Sequence, residues 1–161
     1  MTIFYLILAL SAGAAIATQA VVNGQLAVGI GGNTVAAALI SFVVGTVVLA
    51  IIAFSRGGVG DTLAALPSQT LWKYLGGFLG AGFIFSTTFL APRIGLTSLL
   101  ALIILGQLTA SMTIDHFGLL GAIQRQVTPI KLCGALLLLI GVSLTLFGDR
   151  LLAALGRHGG A

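Results

Sequence analysis

Charge is what this sequence has least of. Of its 161 residues only 6% are Asp, Glu, Lys or Arg, while 58% are hydrophobic. A soluble domain carries roughly 25% charged residues. This chain cannot cover a globule with water-compatible surface, so lipid is its expected solvent. Carboxylates are scarcest of all: Asp61, Asp115 and Asp149 are the only three. The one cysteine, Cys133, excludes an internal disulfide and reads as a small apolar filler inside a hydrophobic run. No second His or Cys stands at ligand spacing from His116, so no metal site is expected. The seven Lys and Arg residues are scattered singly, with no basic stripe. The net charge of +4 is therefore not a nucleic-acid footprint, and these residues read as topology and headgroup anchors. Missing too are a nucleophile with its base, a glycine-rich phosphate loop and a nucleotide motif. Neither an enzyme nor an ATP-driven machine is expected, and no cofactor.

What is present is hydrophobic length. A membrane-spanning helix needs roughly 20 mainly apolar residues, and turn residues and charges cut the chain into five such pieces. The first runs from about Ile3 to Asn23. AIATQA, residues 15–20, mimics a signal-peptidase site, but MTIFYLILAL before it lacks the basic start of a signal peptide. The segment is read as a retained membrane helix. GQLAVGIGGN then turns the chain, with Gly31, Gly32 and Asn33 as breakers. The second span runs from about Thr34 to Phe54, and SRGGVGDTLAALPSQ is the one polar loop. The third starts near Leu71, with Trp72, Lys73 and Tyr74 at headgroup level, and ends at Ala91-Pro92-Arg93. The fourth begins near Gly95. The fifth runs from about Pro129 to Phe147, stopped by Asp149-Arg150, and LGRHGGA reads as a frayed tail. The runs are too long for strands and lack the alternation of a membrane barrel. The expected fold is all-α: one polytopic membrane domain, residues 1–161, of five transmembrane helices.

The fourth segment is too long. Between Arg93 and Arg125 only Asp115 and His116 are ionisable. A straight helix over this stretch would reach about 48 Å at roughly 1.5 Å per residue, beyond the hydrocarbon core of about 30 Å. It must tilt strongly or break, and Gly118 and Gly121 are the expected break points. Either way Asp115 and His116 sit at or just inside a membrane boundary.

Polar side chains in lipid face the bundle interior or a water-filled cavity, so their spacing marks an interior. Gln107, Ser111 and Asp115 recur every four residues on the fourth helix. Ser11, Ala15, Gln19 and Asn23 do so on the first, and Asn33, Ala37, Ser41 and Gly45 on the second. Gly76 and Gly80 stand at the spacing that lets helix backbones approach closely. The candidate substrate or proton pathway is Gln19, Asn23, Gln107, Ser111, Asp115 and His116, a polar seam along helices one and four. Ser41, Gly45, Gly76 and Gly80 are candidates for helix packing. Blander readings stand beside these. Small residues at this spacing are common helix glue, Gln19 and Asn23 can bond each other or a neighbouring helix, and Asp115 can be an interfacial helix cap. His116 reads as an orienting or headgroup residue.

Five spans put the termini on opposite sides of the bilayer. One side carries Arg56, Lys73, Arg125 and Lys131; the other carries Arg93, Arg150 and Arg157. Four against three is almost no bias under the positive-inside rule. A chain so balanced can insert both ways, and two copies in opposite orientation would build the inverted repeat that many transporters carry within one chain.

The stretches NGQLA (23–27), APRIG (91–95), GQLTASMTIDHFG (106–118) and PIKLCGALLLLIGVSL (129–144) together resemble the YdcZ-type family of the drug/metabolite transporter superfamily. The last also resembles the end of the EamA-type repeat. The resemblance covers nearly the whole chain. It implies a multi-pass bacterial inner-membrane exporter, in a family whose members occur singly, as gene pairs and as fused double-length chains. It therefore implies an antiparallel pair as the working unit, a homodimer or a pair with a homologous subunit. It supplies no substrate, because a fold does not fix a function. The leading expectation is a secondary transporter of an unknown small molecule, coupled to protons, because a carboxylate in a shared low-dielectric site can hold either a proton or a cationic substrate. The alternative is a non-transporting membrane assembly subunit, since small-residue faces alone suffice for helix association.

Overall fold

The computed structural model describes residues 2–158, and its regular elements are all helical. Helix α1 covers Ile3–Gly29 and α2 Thr34–Arg56. A short α3, Val59–Ala65, is followed by two 3-10 turns, Leu66–Ser68 and Leu71–Tyr74. Then come α4 (Leu75–Ile94), α5 (Leu96–Phe117), a 3-10 turn at Leu119–Gly121, and α6 (Pro129–His158). Five segments are long and apolar enough to cross a membrane: Ile3–Gly29, Thr34–Arg56, Leu71–Ile94, Leu96–Phe117 and Pro129–Ala153. These are the five expected spans, two of them running on past their expected ends.

Helix α1 does not stop at Asn23. Gly24 and Gln25 continue it, and the chain turns only where Gly31 and Gly32 take φ of 82° and 83°. A lone glycine weakens a helix by about 1 kcal/mol; two consecutive left-handed residues end one. Asn33 then caps α2, its Oδ1 accepting from the Ala36 N–H at 2.9 Å. Helix α6 does not stop at Asp149-Arg150 either. At roughly 1.5 Å per residue its 30 residues reach about 45 Å, so its charged end stands beyond the hydrocarbon core. The expected tail is helical through His158, and residues 159–161 lie outside the described residues. The polar loop between the second and third spans is partly ordered. Tyr74 Oη donates to Leu66 O and Lys73 Nζ to Gln69 Oε1, both at 2.8 Å.

The fourth segment breaks as its length requires. Gly118, at φ 62°, closes α5 by donating its N–H to Ile114 O. Leu120 and Gly121 follow, also with positive φ. The connection folds back onto the helix it leaves: Arg125 N–H donates to Asp115 O at 2.7 Å, and Gln124 Nε2 to His116 O at 2.9 Å.

By its contacts the chain divides into two compact units, Met1–Arg93 and Ile94–Ala161. In the first, α1 and α2 form an antiparallel hairpin whose burial concentrates near its turn, at Ala20, Asn23 and Ala27 on α1 and Ala37 and Ala38 on α2. Alanines at the contact let the backbones approach closely. Helix α4 meets α2 where Phe42 lies beside Gly80. In the second unit α5 and α6 pair antiparallel. In every span at most 17% of the apolar window is buried. Helices that apolar and that open are solvated by lipid or by another chain.

Candidate functional site

Several hydroxyls in the spans bond within their own helix. Thr18, Thr109, Thr113, Ser143 and Thr145 each donate to the carbonyl four residues back, at 2.8–3.0 Å. Such back-bonding lets a Ser or Thr sit in hydrocarbon without a partner helix. Each unit also holds one candidate site.

In the first unit Gln19 lines a cavity of about 370 Å³ with Ser41, Gly45 and Gly80. The cavity thus gathers one candidate pathway residue and three of the four candidate packing residues. A Cβ at Gly80 would touch the Phe42 ring at 3.6 Å, whereas one at Gly45 or Gly76 meets nothing within 4 Å. One helical turn beyond Gln19 stands Asn23, 4% exposed, with its Nδ2 unpartnered. One turn beyond Ile84, another lining residue, stands Thr88, fully buried, with its Oγ1 unpartnered. Its neighbour Thr87 is satisfied by Ile84 O at 3.0 Å.

In the second unit the last turn of α5 carries the chemistry. Asp115, half-buried, and Ser111 line a cavity of about 380 Å³ together with Lys131 from the first turn of α6. Gln107, exposed one turn earlier, is not among the lining residues, so the expected four-residue stripe reaches this cavity only with its last two members. The helix-cap reading of Asp115 fails on direction. Its helix ends there, and a C-terminus offers carbonyls, which need donors. Those donors are the Gly118 and Arg125 N–H groups and the Gln124 side-chain amide. A carboxylate at this end also opposes the helix dipole, at about 0.3–1 kcal/mol for an exposed site. Neither capping nor the helix dipole accounts for an acid here.

His116 lies on the adjoining face. Its Nδ1 accepts the Val127 N–H at 3.3 Å, and its ring stands edge-on to Phe117 with centroids 4.8 Å apart. The imidazole is thus hydrogen-bonded to the returning loop. It lines a second cavity, of about 450 Å³, and Val127 and Met112 border both this cavity and that of Asp115.

Lys131 is the residue that sequence reasoning missed, having counted it as a topology charge. The clue was available. A short connection forces α5 and α6 antiparallel, which sets the first turn of α6 beside the last turn of α5.

Against this geometry stands the comparison with known families. Residues 4–144 match the family model described as "Putative inner membrane exporter, YdcZ". The chain belongs to the YdcZ family. It is a multi-pass inner-membrane protein, and its five apolar helices are the spans that such a protein requires. The matched region takes in all three cavities and the whole of α5. No curated protein and no solved structure matches the chain.

Proposed function

We propose that this YdcZ chain is one half of a secondary exporter of small molecules, acting as a single membrane domain, with Asp115 as its proton-coupling group. The observation that carries this reading is the placement of Asp115. It is the only acid among the residues that line the α5–α6 cavity, it stands at a helix end where it caps nothing, and it shares that cavity with Ser111. An ionised aspartate in hydrocarbon costs about 2.5–3.5 kcal/mol on insertion scales. Water, a proton or a bound cation in the cavity each relieves that cost, and exchange between the last two is proton-coupled transport. Gln19 gives the first unit's cavity a polar wall, and the buried Asn23 stands one helical turn further along α1. His116 sets the loop that borders the acid. The unit is completed by a second copy or a homologous subunit in opposite orientation.

The test is proton release from purified protein in weakly buffered detergent as a panel of amines and metabolites is added, repeated with Asp115→Asn. The variant keeps size and hydrogen bonding and removes the titration. It is expected to fold as wild type and to release no protons. Wild-type proton release by the variant between about pH 6 and pH 8 would falsify the coupling role. No release from wild type with any compound, in a protein that still pairs, favours the reading as an assembly subunit.

A further inference from the structure

Proton coupling uses Asp115 but leaves Lys131 without a part. Both line one cavity at the α5–α6 end of the spans. Their charges are opposite, yet no nitrogen–oxygen contact within 4.0 Å joins them. The Ser111 hydroxyl spends its proton on Leu108 O at 2.9 Å, which leaves its oxygen able to accept. The remaining wall is Leu108, Met112, Val127, Gly134 and Ala135, with no other ionisable group.

We propose that this cavity binds a small zwitterion, its ammonium group on Asp115 and its anionic oxygens on Lys131. Apolar walls strengthen both charges, because the field of each is screened less there than in water. A monocation drawn to Asp115 is repelled by Lys131, and a monoanion drawn to Lys131 is repelled by Asp115. A molecule carrying both charges satisfies both residues at once. It also has no net charge, so carrying it across the bilayer does no work against the membrane potential. The volume of about 380 Å³ lies at the small end of ligand pockets, which run from about 300 to 1,000 Å³. Two sources supply this chemistry: a dissolved amino-acid-like compound, and the ethanolamine headgroup of a phospholipid, which is native to the depth where these helix ends lie.

The inference rests on the exporter reading for its purpose, but its test reads binding alone. Purified full-length protein in lipid-free micelles at about pH 7 is titrated calorimetrically with leucine, with isopentylamine and with 4-methylpentanoate. The amine is leucine without its carboxylate, and the acid is leucine without its ammonium. In parallel, thermal stability is measured in nanodiscs of phosphatidylcholine with and without phosphatidylethanolamine. Leucine is expected to bind about tenfold more tightly than either analogue, the difference that one close charge pair supplies. Asp115→Asn should bring leucine down to the level of the acid, and Lys131→Gln down to the level of the amine. Stabilisation by phosphatidylethanolamine alone, lost in both variants, supports the zwitterion site with lipid as its occupant. Either single-charge analogue binding as tightly as leucine overturns the proposal. So does the absence of any response to leucine and to the ethanolamine lipid. The analogue series on unaltered protein decides the matter even where a variant misfolds. Tight binding of isopentylamine alone would remove the zwitterion and leave a proton-coupled exporter of cations standing.

Discussion

Two threonines side by side on α4 show how differently one residue type can be placed. Thr87 has closed its hydroxyl onto Ile84 O, while Thr88, with no exposed surface, holds an oxygen with no partner. A buried unmade hydrogen bond costs about 1–3 kcal/mol. Replacing that hydroxyl by a methyl should therefore cost nothing in stability. Thr88→Val is expected to raise the unfolding free energy by about 1 kcal/mol, measured by thermal or denaturant unfolding in micelles. A loss of stability would mean that the hydroxyl has a partner, such as water or another chain. At this scale the sequence was legible where chemistry was rare. Asp115 stood out because only three carboxylates exist. Thr88 did not, since nothing in a run such as FIFSTTFLAP separates a self-satisfied hydroxyl from an orphaned one. Lys131 did not either, because its meaning depends on which residues a hairpin sets opposite it.

Among the elements, the same logic explains which boundaries could be read. The end of α5 was legible because a straight continuation would exceed the bilayer, and Gly118 was the first glycine beyond a bilayer's length of helix. The ends of α1 and α6 were not. Gly24 looks like a breaker yet stays helical, and Asp149-Arg150 marks where hydrocarbon ends, not where hydrogen bonding does. The α5 terminus gives a sharp expectation. A Cβ at Gly118 would sit 3.3 Å from Gln124 Cβ and 3.4 Å from Ala122 O, on backbone at φ 62°. Gly118→Ala should destabilise by about 1–2 kcal/mol from handedness alone, and should loosen the loop that brings Val127 to His116. Leu120→Gly, which relieves a side chain held at φ 58°, should leave thermal stability at or above wild type. The reverse ordering of these two would contradict the turn. On α4, Gly80→Leu drives four carbons toward the Phe42 ring and should cost about 1–3 kcal/mol by overpacking. Phe54→Leu, at a residue 70% exposed, should change stability by less than about 0.5 kcal/mol. Equal unfolding midpoints for the pair would remove the α2–α4 contact.

For the molecule as a whole, the open question is how its apolar helices are covered. Its spans leave most of their surface open, and its charges barely choose a side of the membrane. The proposed inverted pair would connect the two facts. A half-transporter that pairs with an inverted copy needs surface for the partner and needs both orientations to occur. With Arg56, Lys73, Arg125 and Lys131 facing Arg93, Arg150 and Arg157, the topogenic excess is one residue, which the positive-inside rule cannot convert into a firm choice. A reporter fused after Ala161 should therefore give signal on both sides of the inner membrane. The balance can be tipped without touching a span. Ala64 and Ala65 lie exposed on α3, clear of the left-handed Gly57 and Gly58 that turn the chain. Ala64→Lys with Ala65→Lys raises the count on that side from four to six and should drive the population into one orientation. If inverted pairing is the working state, this variant alone should lose ligand-linked proton release. Co-expression with a copy biased the other way, for instance by lysines beside Arg93, should restore it. A wild type with a single orientation and no detectable minority would rule out pairing between identical chains and leave a homologous subunit as the necessary partner.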